Sequence, residues 1–143
     1  MSHAGAEQIR KLIHEYAFRL DAGDFDGVAE LFADAELTST LHDQVRRGAS
    51  EARRMYDNVI VYDDGTPRTM HQLTNVTITT SDDGEHASAR TYFTVLGVTS
   101  QGLHPILGGE YQDTFRKVDG EWRFASRRFN PMLRGDLSTH LRP

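Results

Sequence analysis

Residues 9–32, IRKLIHEYAFRLDAGDFDGVAELF, constrain the fold more than any other stretch of the chain. Apolar side chains recur there at helical spacing, at Ile9, Leu12, Ile13, Tyr16, Ala17 and Leu20. This spacing predicts an amphipathic helix with one buried face. Gly23 is suited to end that helix in the left-handed conformation, and Asp24 is suited to cap the next one. The second, shorter helix would bury Phe25, Val28, Leu31 and Phe32.

Asp21 is oddly placed at the end of the first helix. A carboxylate at a helix C-terminus opposes the macrodipole and costs about 0.3–1 kcal/mol when it is exposed. Asp commonly opens a turn, and that is the simpler interpretation of this residue. The alternative is that Asp21 holds a partner inside a pocket. The residues of the helix alone leave both interpretations open.

The remainder of the chain predicts one short strand, one helix and four long strands. The short strand covers 35–40, residues 41–48 form a polar loop, and Ser50 begins the third helix. A turn at 63–67 precedes strands at 70–80, 87–99, 107–118 and 122–129, with Asp-Gly hairpin turns at 83–84 and 119–120. This order predicts an α+β fold in which three N-terminal helices pack on a strongly curved, mainly antiparallel sheet, giving a cone-shaped α+β barrel. Residues 131–143 are expected to form a mobile or subunit-docking C-terminal tail.

Composition excludes several classes of protein. With 143 residues, 38% of them hydrophobic and 26% charged, the chain is expected to form a single domain over 1–143. It contains no cysteine, no apolar run of the ~20 residues that a membrane span needs and no visible secretory signal, so we expect a cytoplasmic protein. The net charge of −5 argues against a nucleic-acid partner. The histidines outside the strands lack metal-ligand spacing, and neither a metal nor a cofactor is expected.

Two motifs carry a family resemblance, YAFRLDAGDFDGVAELFAD near the start and GGEYQDTFRKVDGEWRFASRRF near the end. With the predicted element order, they resemble the nuclear transport factor 2-like superfamily over about residues 5–130, in its SnoaL-like and scytalone dehydratase-like branch. Thr40 stands where ketosteroid isomerases carry their general-base Asp, which argues against an isomerase of that kind. Tyr111 stands where scytalone dehydratases carry an Asn, and the role of His104 stays open.

The resemblance implies a catalytic pair of Asp21 and His71. Scytalone dehydratase and hexachlorocyclohexane dehydrochlorinase use an Asp just past the first helix and a His that opens the first meander strand, and these two residues match. A carboxylate that orients one imidazole nitrogen leaves the other free as a base. We therefore expect a cofactor-independent proton transfer of the dehydratase, isomerase or cyclase type, with His71 as the general base and acid. Tyr16 or Tyr56 would donate a hydrogen bond to the substrate oxygen.

The substrate is expected to be a small, largely apolar carbonyl or hydroxylated ring compound. Candidates to line its pocket are Met55, Tyr56, Val59, Tyr92, Leu96, Tyr111, Phe129 and Arg128. Each apolar candidate has a plain core alternative, and Arg128 is more simply interpreted as the cross-strand ion-pair partner of Asp113. The competing function is a non-catalytic ligand-binding or oligomerisation scaffold that resembles a dioxygenase β-subunit. In either case the exposed face of the sheet is expected to form a homodimer or homotrimer.

Overall fold

In the computed structural model, which describes residues 3–143, helices cover one face of a mixed sheet. The elements are α1 (His3–Asp21), α2 (Phe25–Leu31), β1 (Glu36–Ser39), β2 (His42–Arg47), α3 (Gly48–Arg54), β3 (Thr69–Thr80), β4 (His86–Thr99), β5 (Gly102–Val118) and β6 (Glu121–Arg134). The strand order is β2-β1-β6-β5-β4-β3, and neighbours are antiparallel except for β1 and β6. The α+β prediction with three N-terminal helices is confirmed, and the sheet is open, with edges at β2 and β3. The first two residues of the predicted 1–143 domain lie outside the described residues.

The helix pair forms as its sequence predicts. Ile9, Ile13 and Leu20 on the stripe of α1 are at most 3% exposed. The chain then turns at Gly23 (φ 78°), and the Asp24 side chain accepts a hydrogen bond from the Gly27 backbone N–H at 2.9 Å. Burial of each large apolar side chain contributes about 1.5–3 kcal/mol, which fixes this face of the helix on the sheet.

The inner face of the sheet, the side that packs on the helices, carries most of the core. Alternate residues of β4 point to it, including Phe93 and Val95, and Phe115 and Phe124 do so from β5 and β6. The rings of Phe115 and Phe124 lie 4.8 Å apart, and the ring of Phe32, which caps the C-terminal end of α2, lies 4.9 Å from that of Phe124. Aromatic packing therefore joins the sheet to the helices.

Two predicted boundaries are wrong. The polar loop expected at 41–48 is instead β2, which pairs with β1 in a hairpin and forms an edge of the sheet. An edge strand needs few apolar residues, because solvent reaches much of it. The third helix begins at Gly48 rather than at Ser50, and Arg47 occupies the capping position without a side-chain cap.

The C-terminal residues pack against their own chain. Strand β6 continues past Asn130 to Arg134, and residues Leu137–Arg142, here called the C-terminal clasp, lie along residues 57–62. The Ile60 N–H donates to the His140 carbonyl at 2.8 Å, and the Arg142 N–H donates to the Asn58 carbonyl at 2.9 Å. The expectation that the last strand ends at Phe129 is therefore wrong.

Bulges interrupt the long strands. In β3 the register with β4 shifts between Thr74 and Thr77, where Asn75 has a φ of 56°. In β6 one extra residue, Ala125, lies between the partners of Thr114 and Phe115. A bulge of this kind bends its strand and re-aims the side chains that follow. Among the described helices, none has the length and apolarity that a bilayer span requires.

Candidate active site

The site is centred on Asp21 and His71, which the fold brings into direct contact across 50 positions of sequence. His71 Nδ1 lies 2.7 Å from Asp21 Oδ1, and the His71 backbone N–H donates to Oδ2 at 2.7 Å. The Thr69 hydroxyl donates to Oδ1 at 2.8 Å. The expected pairing of this carboxylate with this imidazole is thus present, and Asp21 does more than open a turn.

The hydrogen bonds assign the tautomer of His71. A carboxylate only accepts hydrogen bonds, so the proton of the His71–Asp21 contact belongs to Nδ1. In the neutral ring Nε2 is then the nitrogen with a free lone pair. The His71 side chain is 6% exposed and that of Asp21 is 20% exposed, so the pair is largely shielded from solvent. A lone pair on an oriented, shielded imidazole is the arrangement that a general base needs.

Local structure explains how Asp21 tolerates the end of a helix. As the last residue of α1 it lies against the negative end of the helix dipole. The three donors from Thr69 and His71, all on β3, stabilise its charge there. The same bonds attach the helix end to the sheet edge, so one residue both fixes the packing and orients the imidazole.

Three tyrosines form a buried cluster beside the dyad. The hydroxyls of Tyr16 and Tyr56 lie 3.0 Å apart, the Tyr16 ring meets the His71 ring edge-on at 6.3 Å, and Tyr111 lies 5.6 Å from Tyr16. Burial raises the pKa of the Tyr16 phenol, and it raises the pKa values of Tyr56 and Tyr111 well above the ordinary value. All three phenols therefore keep their protons near neutrality and act as hydrogen-bond donors.

Of the two neighbouring arginines in β6, Arg127 lies inside the fold and Arg128 does not. Arg127 Nε and Nη2 donate to Asp113 Oδ1 and Oδ2 at 2.7 and 2.9 Å, and neither side chain of the pair is exposed. Its guanidinium lies 3.9 Å from the Tyr111 ring centre and 4.4 Å from that of Tyr16. Burial raises the pKa of the Asp113 carboxyl, and the Arg127 charge opposes that rise.

The predicted pair of Asp113 with Arg128 is consequently wrong. Alternation from Trp122 and Phe124 would point Arg128 inwards, but the bulge at Ala125 shifts the phase of β6 by one residue. Arg127 then lies opposite Asp113, and Arg128 is exposed on the outer face.

The remaining lining candidates divide between the two faces of the sheet. Tyr92 and Leu96 alternate with the inward residues of β4 and lie on the outer face, where Tyr92 is 42% exposed, so their predicted place in the pocket is wrong. Phe129 packs 6.5 Å from the Tyr16 ring. Met55 and Val59 pack in the core on the helix side. Strand parity alone did not reveal which face each strand presents.

His140 is a second residue, after Arg127, that the sequence did not indicate. It is 8% exposed, and its ring lies close enough to the dyad for His71 and Asp21 to act on it electrostatically. Burial first, and then the neighbouring His71, lower the pKa of His140 to about 4. The sequence gives no signal for His140, because this residue lies in a polar stretch with no recognisable spacing to another functional residue. His104, by contrast, is exposed on β5.

A cavity of about 70 Å³ lies next to the dyad. Its walls are Tyr62, Pro67, Arg68, Thr69, Gly97, Val98, Ile106, Thr139 and His140. Thr69, which donates a hydrogen bond to Asp21, is on this wall, while Asp21, His71 and Tyr16 are not. The volume holds several water molecules, and it lies below the ~300–1,000 Å³ of a typical drug-sized site. Across the described residues, no three His, Asp or Glu side chains converge in a way that would hold a metal ion.

Comparison with known proteins places this geometry in a family. Residues 4–128 match the family model of the SnoaL-like domain. The chain belongs to the SnoaL-like domain family. No curated protein matches its sequence.

Solved structures agree on the fold of this SnoaL-like protein. A protein of unknown function from Mycobacterium tuberculosis is 27% identical, with a TM-score of 0.73 over 89% of this chain and 71% of the other. A nuclear transport factor 2-like protein with a cystatin-like fold from Novosphingobium aromaticivorans is 23% identical, with a TM-score of 0.75 over 95% and 86%. A candidate scytalone dehydratase from the same organism is 20% identical, with a TM-score of 0.71 over 91% and 85%. The resemblance to the superfamily and to its SnoaL-like branch is confirmed.

Proposed function

We propose that this SnoaL-like protein catalyses a cofactor-independent proton transfer on a small, largely apolar carbonyl or hydroxylated ring compound. The observation that carries the proposal is the 2.7 Å contact between His71 Nδ1 and Asp21 Oδ1 in a largely buried setting. A structural histidine needs only one partner for its ring. Here the ring bonds through Nδ1 to a carboxylate that the Thr69 hydroxyl and the His71 backbone N–H also hold, and Nε2 is left as the basic nitrogen.

The proposed step begins with His71 Nε2 and a carbon-bound proton next to a carbonyl. Nε2 takes this proton, and the electron pair of the broken C–H bond moves to form an enolate. The imidazolium that results is stabilised by the Asp21 carboxylate, as in a serine-hydrolase triad. His71 then returns its proton to another carbon in an isomerisation, or to a departing hydroxyl in a dehydration. Each outcome restores the neutral imidazole.

The paired hydroxyls of Tyr16 and Tyr56 would stabilise the enolate oxygen. One of the two donates to the other across 3.0 Å, so the accepting phenol retains a proton for a third partner. Because burial keeps both phenols protonated, this donor is available near neutrality. A donor aimed at developing negative charge is commonly among the largest contributions to catalysis.

Deuterium incorporation tests the proposal without knowledge of the full reaction. The protein is incubated in D₂O with 1-tetralone, cyclohex-2-enone or 4-chromanone, and loss of the proton next to the carbonyl is followed by NMR. We expect exchange above the buffer rate with at least one ketone. His71→Asn keeps a donor near Nδ1 but removes the base, and it should lower the rate by about 10²–10⁴-fold.

The chain supplies a matched control in a second histidine–aspartate pair. His86 Nδ1 lies 3.2 Å from Asp83 Oδ2, and both side chains are more than half exposed. His86→Asn should leave the exchange rate unchanged. Equal rates for the wild-type protein and His71→Asn, with every ketone tested, would refute the proposed function.

A non-catalytic scaffold is the second candidate, and the filled interior favours it. Tyr16, Tyr56 and Tyr111 are at most 7% exposed, and the cavity beside the dyad is small. In that case the protein would bind a small ligand or organise an assembly without turnover. Binding of 1-tetralone without any exchange would support this alternative.

A further inference from the structure

The His140 imidazole has a feature that the proposed mechanism leaves unexplained. Its Nδ1 is buried and has no hydrogen-bond partner among the described residues. An unsatisfied buried polar atom costs about 1–3 kcal/mol, and native proteins rarely keep one without a reason. His140 forms part of the wall of the 70 Å³ cavity together with Thr69. One residue of this cavity wall therefore has a buried ring nitrogen without a protein partner, and another, Thr69, donates a hydrogen bond to Asp21.

The charge of the ring suits it to bind a neutral ligand. Burial and the neighbouring His71 lower the pKa of His140 to about 4, while Asp21 opposes the shift. The other polar or charged side chains on this wall are Tyr62, Arg68, Thr69 and Thr139. Near neutrality His140 is therefore uncharged, with one nitrogen that donates and one that accepts.

The position of His140 is fixed by backbone bonds rather than by its ring. The His140 carbonyl accepts from the Ile60 N–H, its own N–H donates to the Leu137 carbonyl at 3.0 Å, and Leu141 forms a bridge with Val59. The Tyr62 hydroxyl donates to the Thr139 carbonyl. The C-terminal clasp thus holds the imidazole in place while one of its nitrogens stays unpaired.

We propose that His140 is a substrate-binding residue of the Asp21–His71 site. Its Nδ1 forms a hydrogen bond with a carbonyl or hydroxyl oxygen of a ligand that extends into the cavity beside Thr69, the residue that also contacts Asp21. Ile106 and Val98 supply the apolar part of the wall. This inference rests on the proposed function and adds to it a contact from the C-terminal clasp.

The test uses 1-tetralone with two substitutions in the full chain. His140→Phe keeps a ring of similar size and removes both nitrogens, whereas His140→Asn keeps a polar atom near Nδ1. We expect His140→Phe to weaken binding by about three- to tenfold, the equivalent of one neutral hydrogen bond. The exchange rate at saturation should fall as well, because the only oxygen of 1-tetralone is the carbonyl oxygen on which negative charge develops. His140→Asn should restore most of the affinity, and the exposed Ser138→Ala in the same segment serves as the control.

A spectroscopic measurement separates binding from a structural effect. With ¹⁵N-labelled histidine, 1-tetralone should shift the Nδ1 resonance of His140 and leave that of His86 in place. Suppose that His71→Asn abolishes exchange, that His140→Phe binds as the wild type does, and that the Nδ1 resonance of His140 in the wild type does not move. The His140 inference is then wrong and the proposed function stands. If exchange does not depend on His71, the proposed function itself fails.

Discussion

The buried pair of Asp113 and Arg127 allows a sharp test of how the interior is stabilised. Arg127→Met removes a guanidinium that makes two hydrogen bonds and lies over the rings of Tyr16 and Tyr111. It leaves Asp113 in a site where neither member of the pair is exposed to solvent. Removal of one partner of a buried pair typically costs about 3–5 kcal/mol. For a chain of this size that corresponds to a fall in Tm of roughly 10–15 °C.

Urea denaturation and calorimetry measure this cost directly. Arg128→Met is the matched control, because the same substitution one residue later falls on the exposed outer face and should change the stability by less than about 0.5 kcal/mol. The double substitution Asp113→Leu with Arg127→Met should be less destabilising than the sum of its parts, since no charge is then left unpaired. Equal costs at positions 127 and 128, or additive costs in the double variant, would refute the reasoning.

Two further predictions concern pH and assembly. The pKa of His140 falls from 6.5 to about 4 on folding, so the folded chain binds this proton less readily than the unfolded chain. The free energy of unfolding is therefore unaffected by protonation of His140 above about pH 6.5. As the pH falls towards 4 it decreases by up to about 3 kcal/mol, because the unfolded chain binds the proton more readily. Urea midpoints at pH 7.5 and pH 5 should therefore differ less for His140→Phe than for the wild type, and equal differences would contradict this. On the outer face Met70, Leu103 and Leu133 are 58–74% exposed, and we expect this patch to form a homodimer or homotrimer. Leu103→Glu with Leu133→Glu should reduce the sedimenting mass to that of a monomer, and a wild-type protein that already sediments as a monomer would contradict it.

The helices and hairpins could be predicted from the sequence because their signals are local. The stripe from Ile9 to Leu20 and the capping role of Asp24 need no distant partner. The turns at Gly84 and Gly120 could also be predicted, because an Asp-Gly pair is typical of a hairpin turn. Both glycines adopt the positive φ that such a turn requires. Polar β2 gave no such signal, because pairing with β1 at a sheet edge is what makes it a strand.

Of the candidate site, only the pair of Asp21 and His71 could be predicted. Asp21 and His71 were found through a family resemblance, and their contact is present. Arg127 was missed because a bulge at Ala125 reverses the alternation along β6, so that Arg127 and not Arg128 lies opposite Asp113. His140 was missed because its place depends on backbone pairing with residues 57–62, which leaves no periodic trace in the sequence.

The bulge at Asn75 has a consequence for the phase of strand β3. Before it, the odd-numbered residues Thr69, His71 and Leu73 face inwards, and after it the even-numbered Val76 and Ile78 do so. Side chains alternate strictly along a regular strand, so an uninterrupted β3 would satisfy only one of these two sets. If Asn75 were deleted and Val76 and Ile78 stayed buried, the imidazole of His71 would point to solvent, away from Asp21. The extra residue at the bulge thus allows the single strand β3 to bury Val76 and Ile78 and also to direct His71 towards Asp21.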